Sequence, residues 1–226
     1  HAFRERELIN DIMEETCGAR LTMNYMVPGG VMTDLHPNFV KKVKEFVAFF
    51  RTKIDEYDTL VTHNVIFKQR MMDVGKISAA DAVSFGCTGP VLRACGVKSD
   101  IRKLAPYDGY EKLIFEEPLE TAGDSYARYL VRMRELRESL SIIDQLIDNI
   151  PAGEFQAKTK AVLKLPKGEF YSRVETARGE FGVYIISEGG LTPYRIHFRS
   201  PGFANLSCLN HIAKGQKIGD LVAMMG

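Results

Sequence analysis

The sequence lacks an excess of either charge: 30 Lys and Arg stand against 29 Asp and Glu, for a net charge of +1. That removes the electrostatic footprint expected where nucleic acid is the main partner. Long apolar runs are missing too. A bilayer span needs about 20 apolar residues in succession, and the run Phe46-Val47-Ala48-Phe49-Phe50 falls far short. No transmembrane segment is expected. His1-Ala2-Phe3-Arg4-Glu5-Arg6-Glu7 is charged where a signal peptide would be apolar. Cysteine is scarce: Cys17, Cys87, Cys95 and Cys208 form no C-x-x-C pair and no zinc-type spacing. Four in a chain this long do not make a secreted disulfide scaffold, so they read as buried thiols in a reducing compartment. Catalytic signatures are also absent. There is no G-x-S-x-G, H-E-x-x-H, P-loop or G-x-G-x-x-G, hence no recognisable nucleophile, metal site or dinucleotide cradle.

What is present is ordinary globular material, 45% hydrophobic and 26% charged over 226 residues. A chain of this length buries about 70% of its unfolded surface, enough for one full core. There is no initiator Met, Phe3 to Ile12 already reads as helix interior, and the end at Gly226 is abrupt. An internal piece of a longer protein is expected.

The first two thirds carry helical periodicity. Phe39, Val40, Val43, Phe46, Val47, Phe50, Ile54 and Tyr57 recur at three- and four-residue spacing, with Lys41, Lys42, Lys44, Glu45 and Arg51 between them. A second helix should open at Ser78, capped with Asp81 three residues on, and stop at Gly86. The longest should begin near Asp124 and end before Pro151-Ala152-Gly153, with Arg134 and Glu138 spaced for an ion pair. Residues 153–169 form a Lys-rich connector.

The period then changes from 3.6 to 2. Phe170–Thr176, Phe181–Ser187 and Tyr194–Arg199 read as three strands, joined by turns at Ala177-Arg178-Gly179-Glu180 and Gly189-Gly190. Helix returns over Phe203–Ala213 and Asp220–Met225. The expected class is mainly α with a small antiparallel sheet (α+β). It divides into a helical core (1–152), the connector (153–169), the sheet (170–202) and C-terminal helices packing back (203–226), all within one domain truncated at both ends.

Three features rise above background. Strand alternation puts Arg195, His197 and Arg199 on one face; such a face is either solvated or held against an acidic or electron-carrying partner. The turn around Gly179 either serves backbone geometry alone or presents Arg178 and Glu180 to a bound centre or another subunit. Thr88–Lys103 reads as a long irregular segment in which Arg93 or Arg102 beside Asp100 forms either a functional group or an ion pair pinning the loop. His36 and His63 sit alone and read as structural.

Several of these segments occur in a familiar order: Phe3-Arg4-Glu5-Arg6-Glu7, Val27-Pro28-Gly29-Gly30-Val31, Ser78 through Gly89-Pro90 to Arg102, Gly123-Asp124 through Met133, Arg178-Gly179-Glu180-Phe181-Gly182-Val183-Tyr184, and Pro193-Tyr194-Arg195 through Arg199-Ser200-Pro201. Together they closely resemble the D subunits of NADH–quinone oxidoreductase (respiratory complex I), hydrophilic subunits related to the large subunits of nickel–iron hydrogenases. The resemblance runs over the whole chain except the connector. It implies a hydrogenase-like helical core packed against the subunit that carries the terminal iron–sulfur cluster. It places the protein peripherally, on the cytoplasmic side of the cell membrane.

On the matching positions, Arg178, Glu180, Arg195 and Arg199 would wall the region between cluster and quinone; His197 joins them by strand geometry only. No cofactor is expected on this piece. Quinone would be the substrate of the complex, the cluster would lie on the neighbouring subunit, and FMN elsewhere. Fixed guanidinium groups would stabilise the negative charge that a quinone gains on reduction and raise its potential. The family's headgroup His and Tyr lie upstream of His1, so the piece alone is expected to be inactive. Two alternatives stand beside this: a true hydrogenase large subunit, and a purely structural docking module.

Overall fold

Local capping chemistry sets many of the boundaries in this computed structural model, which describes residues 2–160 and 162–225. His1 and Gly226, the outer limits of the expected domain, lie outside the described residues, as does Ala161. In chain order the elements are α1 (Ala2–Cys17), a hairpin of β1 (Met26–Val27) and β2 (Gly30–Val31), α2 (Phe39–Tyr57), a π-turn (Asp58–Thr62) and α3 (Val65–Met71). There follow α4 (Ala79–Ser84), α5 (Pro90–Arg93), α6 (Ile101–Leu104) and the long α7 (Ser125–Ile147). The chain closes with β3 (Gly168–Thr176), β4 (Gly179–Ser187), β5 (Arg195–Arg199), α8 (Pro201–Ser207), α9 (Leu209–Ile212) and α10 (Leu221–Met225). The class is α+β, with two small antiparallel sheets.

The chain divides into two compact units: the described parts of His1–Glu56 with Ser139–Leu163, and of Tyr57–Glu138 with Lys164–Gly226. In the first, Val47 and Ile54 of α2 and Leu140, Ile142 and Ile147 of α7 are buried. Lys44–Asp148 and Arg51–Asp144 ion pairs lie outside that core. The turn between β1 and β2 shows what the glycine pair is for. The Phe155 carbonyl accepts the Val31 amide at 3.1 Å, and a Cβ on Gly30 would stand 2.2 Å from that same carbonyl oxygen. Only glycine lets the connector come this close.

The second unit holds the larger sheet, in the order β3-β4-β5. Val74, Ile77, Ala82, Cys87, Val91, Leu92, Cys208, Ile212 and Met224 form its main apolar core. Ser78 caps α4 as expected: its hydroxyl accepts the Asp81 amide at 3.1 Å, and Gly86 takes the left-handed conformation after the helix (φ +70°). Asp124 caps α7 the same way, accepting the Ala127 amide at 2.8 Å.

Three expectations need correction. Thr88–Lys103 is not irregular throughout, because the Pro90 start and the Asp100 cap each nucleate a helical turn, α5 and α6. Phe203–Ala213 is two short helices meeting at Cys208 rather than one. Arg134 pairs with Glu120 at 2.6 Å, while the Glu138 carboxylate takes the Glu116 amide at 2.8 Å.

Candidate functional site: the clamped turn and its buried base

The β3–β4 turn is seated by two glycines back to back. Gly179 has φ +124°, and a Cβ on it would lie 2.5 Å from the Thr88 hydroxyl oxygen; a Cβ on Gly89 would lie 2.5 Å from the Gly179 Cα. Both chains can approach only without side chains. Here backbone geometry is the primary role of the turn glycine.

Hydrogen bonds then lock the contact. The Glu180 amide donates to the Thr88 hydroxyl at 3.1 Å. Arg199 donates to the same hydroxyl at 3.3 Å, to the Glu180 carbonyl at 2.6 Å and to the Gly86 carbonyl at 2.8 Å. The Asn205 side chain accepts the Thr88 amide at 3.1 Å and donates to the Arg178 carbonyl at 3.0 Å. A half-buried Arg199 is thus fixed by three neutral acceptors, which orient its charge without neutralising it.

The remaining side chains divide. Register places Gly182 opposite Arg199, Tyr184 opposite His197 and Ile186 opposite Arg195, so these three basic residues share a face with Tyr184 and Glu180. Tyr171 crosses Gly182, whose Cβ would lie 2.3 Å from the phenol oxygen, and donates to the Glu180 carboxylate at 2.8 Å. Arg173 adds a 3.4 Å ion pair to that carboxylate. Tyr184 donates to Glu169 at 2.5 Å. Arg178, Arg195 and His197 are exposed. The opposite face is not covered either: Phe198 is 60% and Ile196 46% exposed.

Arg93, Asp100 and Arg102 form a buried base that meets the sheet through Glu175, the cross-strand partner of Glu180. Arg93 is 1% exposed and donates to Glu135 at 2.8 Å and to Glu175 at 2.9 Å. Burial opposes its charge, but the two carboxylates outweigh that and raise its pKa. Burial likewise pushes both glutamates above the ordinary carboxylate range, against the pull of Arg93. One guanidinium cannot fully compensate two carboxylates. Arg102 grips Asp100 through Nη2 at 2.7 Å and lies over the Phe115 ring at 4.9 Å. Although burial works against it, that ion pair holds the Asp100 carboxyl below its usual value. Glu175 Oε2 also takes the Ile101 amide at 3.2 Å, so the base ties α5, α6, α7 and β3 together.

A second buried cation was not legible in the sequence. Arg128, 2% exposed, donates to the Gly75 and Gly123 carbonyls at 3.1 and 3.2 Å and to the Ser125 hydroxyl at 2.8 Å. Burial, then Arg132, lowers its pKa. Thr88 and Asn205 were equally hidden. Both act largely through backbone atoms of distant segments, and the only signal was their place beside Gly89-Pro90 and after Pro201. Among the described residues no group of three or more His, Cys, Asp or Glu could hold a metal ion. No helix among them is long and apolar enough to cross a membrane.

The comparisons with known proteins agree with the order of the motifs. The family model described as the respiratory-chain NADH dehydrogenase 49 Kd subunit matches residues 1–164 and 158–226. The C/D component of the NADH-quinone oxidoreductase of Bacteroides fragilis is 52% identical over 226 residues, which are 100% of this chain and 43% of that protein. The C/D component from Phocaeicola vulgatus is 48% identical, covering 100% and 44%. The D component of the NADH-quinone oxidoreductase of Desulforamulus reducens is 44% identical, covering 100% and 62%. The chain therefore spans about half the length of the curated relatives it matches. With the family model covering it from end to end, the chain belongs to the respiratory-chain NADH dehydrogenase 49 Kd subunit family.

Proposed function

We propose that this chain is the part of a peripheral-arm subunit of NADH–quinone oxidoreductase that builds a wall of the quinone pocket. Its core is taken to be the one shared with hydrogenase large subunits. Its partner is the subunit bearing the terminal iron–sulfur cluster, with FMN and NADH bound elsewhere in the complex. The membrane association is peripheral. The observation that carries the reading is Arg199: three neutral acceptors hold the guanidinium in one place while leaving its charge available. A positive charge fixed beside a quinone favours the electron-rich product over the neutral substrate and needs no reorganisation when electrons arrive. The redox chemistry belongs to the bound groups, and the protein supplies position and field. Arg195 and His197 extend the same strand face, and Glu180, anchored by Tyr171 and Arg173, offers a carboxylate at its edge.

A purely structural docking module is the competing reading. It is favoured by the exposed apolar residues Ile196 and Phe198 on the other face of β5. Arg199→Ala and Glu180→Ala in the intact complex separate the two. NADH oxidation by a hydrophilic artificial acceptor, which bypasses quinone, monitors assembly. The pocket reading expects quinone reduction to fall at least about tenfold (one lost charge-assisted contact of about 1.4 kcal/mol) with the bypass rate intact. Unchanged quinone kinetics in both assembled variants would leave only the docking module.

A further inference from the structure

We infer that Thr88 and Asn205 are positioning residues for the pocket wall, each acting through the groups it holds; the inference rests on the pocket reading above. The Thr88 hydroxyl oxygen has two acceptor sites, and both are used on that wall: one by the Glu180 amide at 3.1 Å, the other by Arg199 at 3.3 Å. One atom therefore fixes the spacing between the start of β4 and the side chain at the end of β5. Asn205 sets the other coordinate. Its carboxamide oxygen takes the Thr88 amide at 3.1 Å, and its nitrogen donates to the Arg178 carbonyl at 3.0 Å. It bridges the loop before α5 to the turn that carries Arg178. Asn205 is itself held from behind, because the Cys208 thiol, 2% exposed, donates to its backbone carbonyl at 2.9 Å. Neither bond pattern is interchangeable. An aspartate at 205 would keep the bond from Thr88 but set a carboxylate against the Arg178 carbonyl. A valine at 88 keeps the shape and removes the shared acceptor.

Removing one such bond misplaces groups that must meet the quinone rather than unfolding the unit, and displacements of this kind are costly to rate. In the intact complex, Thr88→Val, which removes both bonds to that hydroxyl, and Asn205→Asp, which removes the one to the Arg178 carbonyl, are expected to lower kcat/KM for quinone about five- to tenfold, equivalent to about 1–1.4 kcal/mol. The bypass rate with the artificial acceptor stays unchanged. Thr88→Ser, which retains the oxygen, restores most of the loss. The double variant Thr88→Val/Arg199→Ala is expected to be slower than Arg199→Ala by clearly less than the loss in Thr88→Val alone, because Thr88 acts in part through that arginine and in part through the Glu180 amide. Normal quinone kinetics in Thr88→Val and Asn205→Asp, beside a damaged Arg199→Ala, overturn the inference and leave the pocket reading standing. Undamaged Arg199→Ala and Glu180→Ala overturn the pocket reading itself. Loss of the bypass rate together with quinone reduction in Thr88→Val and Asn205→Asp also overturns the inference, since it assigns the two residues to structure alone.

Discussion

Arg93 and Glu175 lie 82 residues apart in sequence and meet at 2.9 Å with side chains 2% and 4% exposed. Glu135 closes on the same guanidinium from α7. Removing the cation strands two buried carboxylates, whereas removing one carboxylate still leaves a pair. Arg93→Leu is therefore expected to cost about 3–5 kcal/mol, the range for a buried pair broken from one side. Glu135→Gln should cost clearly less. Urea unfolding of the purified chain measures both, and equal losses would refute the asymmetry.

The seat of the β3–β4 turn gives a steric expectation. Gly86 and Gly179 both have positive φ, but a Cβ on Gly86 would meet nothing within 4 Å, whereas one on Gly179 would press on Thr88. Gly86→Ala should thus carry only the conformational penalty of about 1 kcal/mol. Gly179→Ala adds a clash with backbone that cannot move aside, for a total of at least about 2 kcal/mol. Differential scanning calorimetry of the two variants reads the gap directly.

These contacts mark where the sequence stopped being informative. The Ser78 and Asp124 caps, the three strands and the turn at Gly179 were legible because their signals are local: a cap residue, a period of two, a glycine. The π-turn at Asp58–Thr62 was not, since the apolar stripe of α2 runs up to it without a break. It is held by distant partners, with the Thr62 hydroxyl 2.9 Å from Tyr129 and the Tyr126 hydroxyl donating to the Thr62 carbonyl. Arg93 was legible as a candidate, but its acceptors were not: Glu135 and Glu175 are brought in by tertiary packing. The clamp on Arg199 was hidden for a further reason, because two of its three acceptors are backbone carbonyls that any residue type would supply.

Asp100 makes acid stability a readout of the buried base. Its carboxyl titrates below the ordinary 3.8 because the Arg102 bonds outweigh the cost of burial. A depressed folded-state pKa means that the ion pair stabilises the fold above pH 3.8 and that this contribution fades as pH falls below it. Asp100→Asn should then be less stable than the parent chain at pH 6, with the difference shrinking toward pH 3. The raised glutamates work in the opposite sense above their ordinary 4.5, and because the Asp100 charge is one cause of their shift, Asp100→Asn also relieves part of that penalty and leaves the gap at pH 6 smaller than the Arg102 pair alone would give. Urea midpoints at the two pH values check it, and a gap that widens on acidification would reverse the sign.

The basic face of β5 should separate stability from function within a single strand. Arg199 supplies the donors for the Gly86 and Glu180 carbonyls, so Arg199→Ala leaves the part-buried Glu180 acceptor unsatisfied and the exposed Gly86 carbonyl to water, and is expected to destabilise the chain by about 1 kcal/mol. Arg195 and His197 are exposed, and exposed substitutions away from packed features usually stay within about 0.5 kcal/mol. Arg195→Gln and His197→Gln should therefore unfold with the parent chain. If this face stands against a quinone or a negatively charged neighbour, the same two changes lower quinone reduction in the assembled complex, and more so at low ionic strength, where exposed charges act over longer distances. Denaturation midpoints for the three variants, set beside quinone-reduction rates at two salt concentrations, test the split. Full activity at both salts in Arg195→Gln and His197→Gln would show that this stretch of β5 is a solvated outer surface.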